Sequence, residues 1–369
     1  MSWPVVPQQC GLSDHRSVAL RKVSPTLGSV SRRLGTLLVS AALLLTLGGL
    51  GALLPVPYVA LTPGPTYDTL GEGPSGNPII TVTGAETNDT SGLLSLTTVA
   101  VYDQIDFFTA LQGWFDDEVV IVPRDEIYPP DRSDEEVDEA NRADFLISQQ
   151  SAEQAALEEL GFPVKVVVQE LSADSPSEGR LRPADAIESI DGMPTPDLET
   201  LASVLTAIDP GTSVEVVRTR LGRESTVRVT TGEATDREGS VLGIVVSDAR
   251  SAPFDVEIRV DEVGGPSAGL MLTLGILDLV GDDDLTGGDP IFGTGTIDNQ
   301  GVVGPIGGIR LKMIAADDLD AEVFLVPEAN CAEALLQVPE GLALARVATL
   351  DDALDALDDV RDGRAPPSC

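Results

Sequence analysis

The run LGTLLVSAALLLTLGGLGALL, residues 34–54, contains no charged side chain. At about 1.5 Å per residue such a helix crosses a hydrocarbon core of about 30 Å. A soluble protein seldom buries a helix that is apolar on every side. A cleaved signal peptide has a shorter apolar core and a small-residue cleavage site, and the following PVPYVALTPGP offers none. The run reads as an uncleaved membrane anchor in contact with lipid. Arg16, Arg21, Lys22, Arg32 and Arg33 precede it against a single acid, Asp14. Basic flanks stay in the cytoplasm, so residues 1–33 read as a cytoplasmic basic tail. Everything after Leu54 is then expected outside the cytoplasm, in a single-pass cell-membrane protein.

The chain has 369 residues and a formal net charge of -37. Residues before 34 sum to +4, so the rest of the chain is strongly acidic, which argues against a phosphate-binding surface and hence against a nucleic-acid partner. Cys10 falls on the cytoplasmic side. Cys331 and Cys369 fall outside, where a disulfide is chemically permitted; their spacing leaves open whether they pair. Residues 55–144 read as an extended stalk followed by a small membrane-proximal β-rich segment. Its strand-like runs are IITVTG, LLSLTTVAVY and VVIVP, and it ends in an acidic loop at 129–144. Helical spacing then begins at Phe145 and stops at Gly161, a natural residue after a helix end.

From VKVVVQEL at residue 164 the pattern becomes β-like. The next stretch has Ser175-Pro176, Gly179-Arg180-Leu181, Pro183-Ala184-Asp185-Ala186-Ile187 and Ile190-Asp191-Gly192. Asp191-Gly192 suits a hairpin turn, and a helix from Asp197 places Leu198, Leu201, Val204, Leu205 and Ile208 on one face. Residues 154–233 thus resemble a PDZ domain of the bacterial protease type. That resemblance implies capture of an extended peptide as an added strand. Leu160-Gly161-Phe162 reads either as a helix cap or as a loop offering free N–H groups to a peptide carboxylate.

Residues 264–275, GGPSAGLMLTLG, place Ser267 where a tight turn runs into an apolar helix. Unpaired N–H groups at a helix N-terminus favour developing negative charge. A nucleophilic serine needs a base, and the one histidine, His15, lies across the proposed membrane. The chain has only three lysines: Lys22, Lys165 and Lys312. Lys312 sits in PIGGIRLKMIAA, flanked by Leu311, Met313 and Ile314, and residues 301–311 carry no acid. A desolvated lysine can lose its proton where an arginine cannot. A neutral amine beside a hydroxyl can serve as its general base.

GPSAG followed by PIGGIRLKMIAA and then VFLVPEAN is similar to the proteolytic domain of Lon proteases. The resemblance implies Ser267 as nucleophile, Lys312 as its partner and Thr294, in GTGTI, as a hydroxyl supporting the amine. Many members have an acid where this chain has Gly264, which bears on how easily the lysine deprotonates. No G-x-x-x-x-G-K-[ST] loop occurs, so no ATPase of its own is expected.

Together the segments resemble membrane-anchored bacterial PDZ-Lon proteases. The expected fold is α+β and multidomain: a transmembrane helix, a small β-rich segment, a PDZ-like domain, a Lon-type α/β domain at 236–350, and a C-terminal helix and tail at 351–369. The expected activity is a serine endopeptidase with a Ser-Lys dyad, without metal or cofactor, acting on unfolded or extracted polypeptides. A homo-oligomeric ring is implied by the resemblance alone. The alternative is a PDZ peptide-binding adaptor whose Lon-like part is an inactive assembly domain.

Overall fold

The computed structural model describes residues 27–234, 239–260 and 263–369, with residues 27–31 described as helical backbone. Most of the basic tail, with Cys10 and His15, lies outside the described residues, as does position 236, where the Lon-type domain was expected to start. The chain divides into two units, Met1–Pro55 and Val56–Cys369. The first contains helix α1 (Leu27–Leu53), whose Arg32–Leu53 part has a mean hydropathy of 2.0 and is long and apolar enough to cross a membrane.

The main elements of the second unit begin, in chain order, with β1 (Tyr58–Asp68), β2 (Ile80–Thr83), β3 (Leu93–Tyr102), α2 (Phe107–Gly113), β4 (Val120–Pro123) and α3 (Asp134–Glu159). Next come β5 (Val164–Leu171), β6 (Ala186–Ile190), α4 (Leu198–Thr206), β7 (Ser213–Arg220), β8 (Arg223–Thr230), β9 (Ile244–Arg250) and β10 (Asp255–Ile258). Last are α5 (Gly269–Val280), β11 (Pro290–Gly293), α6 (Ile309–Asp317), β12 (Val323–Pro327), β13 (Ala343–Val347) and α7 (Leu350–Arg361).

One mixed sheet has the order β13-β12-β11-β3-β1-β4. Its β11, β12 and β13 come from the Lon-like region, and β1, β3 and β4 from residues 55–144. The stalk and separate β-rich segment expected there are therefore corrected: these residues complete the sheet of the catalytic region. Pro63, Gly64 and Pro65 made β1 look like an extended stalk. They sit where the β1/β3 register shifts between Pro63 and Thr66, a bulge that tolerates proline within a strand. A Cβ on Gly64 would lie 2.4 Å from Thr98 Oγ1, so only glycine allows the strands to approach there.

The acidic loop expected at 129–144 is also corrected, because α3 starts at Asp134. Ser133 and Glu136 form a capping box, and Asp134, Glu135 and Glu136 fill the first turn, where the helix dipole favours carboxylates. At the other end Gly161 has φ +75 and donates to Glu158 O, while Phe162 donates to Leu157 O. That is a Schellman cap. It occupies the N–H groups of Gly161 and Phe162, so this turn is the helix cap and not the carboxylate-binding loop.

The second sheet is antiparallel, in the order β9-β5-β6-β7-β8, with a short strand at Met193–Pro194 beside β6. Asp191-Gly192 forms the expected hairpin turn, both residues at positive φ. Strand β9 pairs with β5 from Ile244 to Arg250, so the PDZ-like layer extends beyond residue 233 into the stretch assigned to the catalytic domain.

The period of two along strands gives the mixed sheet two apolar faces. Leu94, Leu96, Ile291 and Leu325 join the core with α5, α3 and α7. Phe292, Phe324, Val326 and Leu344 join a second core with Ile309 and Met313 of α6. Cys331 and Cys369 form a disulfide, with Cα atoms 5.2 Å apart. The tail beyond α7 also bonds back to β13 through Arg346 N–H to Pro367 O.

Asp278, on α5, is wholly buried. Its Oδ1 accepts the Leu285 N–H at 2.6 Å, and its Oδ2 has no partner among the described residues. Burial, with Asp284 and Asp68 nearby, pushes its carboxyl up to about 6. A raised folded pKa favours the protonated form, so its contribution is greatest at low pH and is lost as pH rises through about 6. Asp278→Asn is expected to raise Tm at pH near 8, with the gain shrinking as melts are repeated toward pH 5. A pH-independent difference would contradict this account.

Candidate active site

Ser267 precedes the N-terminus of α5, whose residues Gly269 to Leu277 are all buried. Lys312 lies within α6, which packs on the other face of the sheet. The two helices meet past Gly293, where β11 stops. Lys312 Nζ lies 2.8 Å from Ser267 Oγ and 2.8 Å from Thr294 Oγ1. Thr294 Oγ1 also lies 3.0 Å from the Ser267 carbonyl, to which it donates. Its single proton is thereby used, so it accepts from the amine. A neutral amine can then turn its lone pair to the serine hydroxyl. The structure brings together all three residues named from the sequence: Ser267, Lys312 and Thr294.

The lysine is only 3 % exposed. Burial pulls its amine down from 10.5 to about 7, and no carboxylate contributes to the shift. This corresponds to roughly 5 kcal/mol against the charged form. Gly308 starts α6 at φ +70, and a Cβ there would lie 2.9 Å from Val99 Cγ2. Asn330 holds the preceding loop by accepting from Ile306 N–H and donating to Ile306 O, both at 2.9 Å.

Helix α3 secures the turn that carries Ser267. The Gly265 N–H donates to Asn141 O at 2.8 Å, and Ser148 Oγ donates to Pro266 O at 3.0 Å. Asn141 and Ser148 were missed by sequence reasoning, because a main-chain carbonyl and one small hydroxyl on a helix leave no motif. Among the described residues the N–H groups of Ser267 and Ala268 meet no acceptor, leaving two donors for an oxyanion.

A cleft of about 720 Å³ opens over the pair, between Tyr67, Leu96, Val99 and Val101 on one side and Pro266 and Ile306 on the other. Leu93 donates toward β11, to Asp289 O. The strand period therefore turns the main-chain groups of Val99 and Val101 to that same side, past the end of β11 at Gly293. A second groove of about 720 Å³ lies between α4 and the edge strand β9. It is lined by Leu198, Leu201, Leu205 and the turn Val241–Leu242–Gly243–Ile244, with Gly243 at φ +67. This turn, unlike Leu160-Gly161-Phe162, stands at the head of an open strand edge.

Residues 254–358 match the family model of the Lon protease (S16) C-terminal proteolytic domain. A Lon protease of Campylobacter jejuni is 33% identical over 95 residues, which are 25% of this chain and 12% of that protein. Lon protease 2 of Bacillus subtilis is 29% identical over 127 residues, 32% of this chain and 22% of that protein. The chain thus spans under a quarter of the length of these relatives. Among solved structures, the PDZ domain of the SdrC-like protein Lmo2051 of Listeria monocytogenes aligns at 17% identity and TM-score 0.21, covering 22% of this chain and 86% of that one.

A lowered lysine pKa means that the folded state binds fewer protons than the unfolded chain between about 7 and 10.5, so stability rises with pH across that window. Lys312→Met is expected to raise Tm at pH 7, since it removes the amine and keeps the apolar stem. In the wild type, NMR of the Lys312 side chain should titrate with a midpoint of about 7. A midpoint near that of free lysine contradicts the dry pocket.

Proposed function

We propose that the chain, whose residues 254–358 match the Lon-type proteolytic domain, is a membrane-anchored serine endopeptidase with a Ser267–Lys312 dyad. It cleaves unfolded or already extracted polypeptides outside the cytoplasm, without an ATPase of its own. The observation that carries the reading is a buried lysine amine, 3 % exposed, 2.8 Å from a hydroxyl at a helix N-terminus.

Neutral Lys312 accepts the proton of Ser267 as Oγ attacks the substrate carbonyl. The N–H groups of Ser267 and Ala268 receive the developing oxyanion. The ammonium returns its proton to the leaving amine, and an ester on Ser267 remains. Lys312 next deprotonates a water, whose attack releases the acid product and frees the serine. The substrate lies extended along β3, bonded to the main-chain groups of Val99 and Val101, much as a strand is added to a sheet edge. The groove between α4 and β9 takes a separate segment of the polypeptide, with its terminal carboxylate at Val241–Ile244.

The apolar Arg32–Leu53 helix supports the anchor, in contact with membrane lipid, and the basic residues before it support a cytoplasmic N-terminus. The Cys331–Cys369 disulfide supports an oxidising compartment for the catalytic unit. A homo-oligomeric ring belongs to the same proposal on family resemblance.

Full-length protein in detergent should cleave casein. Ser267→Ala and Lys312→Met should each lower kcat by roughly 10³-fold or more, and Lys312→Arg should be equally inactive because guanidinium does not deprotonate. Equal cleavage by wild type and Ser267→Ala would remove the enzyme and favour the adaptor. The kcat/KM of the wild type should rise with pH to a plateau, with a midpoint of about 7. Thr294→Val should lower kcat about tenfold and move that midpoint, since the hydroxyl acts through the amine.

A further inference from the structure

Helix α2 carries its apolar residues on the wrong side for a soluble protein. Phe107, Phe108 and Leu111 fall within about 100° of arc on α2, Trp114 and Phe115 follow in the turn that ends it, and all five are exposed, Phe115 at 85 % and Trp114 at 55 %. The side facing the sheet holds Ala110 and Gly113. A Cβ on Gly113 would lie 2.7 Å from Ile121 Cδ1, so small residues let α2 sit close on β4 while the aromatics point out. In a chain with only 4% aromatic residues, four of them within nine positions make a patch that water alone does not explain.

We propose that this face of α2 rests in the interfacial layer of the lipid bilayer and fixes the catalytic unit against the membrane surface. The inference rests on the reading of Arg32–Leu53 as a membrane span. Leu53 ends that helix, and the Val56 N–H already bonds to Ile105 O, at the loop that starts α2. Three residues reach about 10 Å at most, so the start of α2 cannot lie far from where the chain leaves the membrane. Trp favours the headgroup boundary, and Trp, Phe and Leu form the apolar faces of helices that lie in it. The surrounding charges point to a neutral contact. Asp103 is bound to Arg124, Asp106 caps α2, and Asp116, Asp117 and Glu118 follow it, so anionic headgroups do not drive the docking. Strand β3 runs from the catalytic cleft through Val101 directly into this loop. The docked unit therefore holds that end of the cleft near the membrane, where a polypeptide segment leaving the bilayer would enter.

The test uses the full chain in phosphatidylcholine vesicles, with Trp3→Phe leaving Trp114 as the sole tryptophan. Vesicles with brominated acyl chains should quench Trp114 about twofold, equally at low and high salt, and Phe107→Ser/Phe115→Ser should abolish the quenching while casein cleavage persists. A control chain with Trp3→Phe, Trp114→Phe and Leu221→Trp reports on an exposed turn of the second sheet and should not be quenched. Vesicle flotation separates the two readings. Protein that floats with an unquenched Trp114 overturns the docking and leaves the span standing. Protein that does not float overturns both. Blue-shifted emission that reverts on dilution in lipid, without quenching, overturns the docking by showing a second copy on this face. Equal quenching of Trp114 and Leu221→Trp also overturns it.

Discussion

Lys312 keeps its amine among apolar side chains, 2.8 Å from two hydroxyls and beyond the influence of any carboxylate. In a chain of net charge -37 that is a demanding arrangement, since any nearby acid would restore the proton. The mixed sheet makes it possible. Its two apolar faces bury α5 and α6 independently, and their functional ends converge only where β11 ends. Leu311, Met313 and Ile309 on the same helix as Lys312 are buried with it. The roughly 5 kcal/mol held against the ammonium is stability given up locally to keep the amine neutral near pH 7.

Helix α3 connects this site to the second sheet. At 26 residues it is about 39 Å long. Its middle turns hold the Ser267 turn through Asn141 and Ser148. Its second half holds β9: Gln154 Oε1 accepts the Arg250 N–H at 2.6 Å, and Glu158 pairs with Arg250 at 2.9 Å. Strand β9 is also the open edge of the α4 groove. One helix therefore touches both the edge of one groove and the turn that presents Ser267.

Much of the site was legible because its chemistry is carried by rare residues in short motifs. Three lysines, one histidine and a P-S-A-G turn left few candidates for a base and a nucleophile. Gly161 and Asp191-Gly192 were readable because each needs a positive φ, which few other residues supply at low cost. The readings that failed share a cause. Pro63-Gly64-Pro65 looked like a stalk, and the acids before Phe145 looked like a loop, because local propensity is weak where tertiary pairing or a capping box decides. Strand β9 was assigned to the wrong layer because alternation marks a strand without naming its partner.

The amino-acid order by itself determined the apolar helix, the acidic character of the chain beyond it, and the identities of Ser267, Lys312 and Thr294, since these depend on residue chemistry and local spacing. Only the tertiary structure decided that residues 58–123 complete the catalytic sheet, that Cys331 reaches Cys369, and that the aromatic face of α2 is left uncovered. Strand partners, distances across 38 residues of chain and the solvent side of a helix are set by packing between distant segments, and no local pattern encodes them.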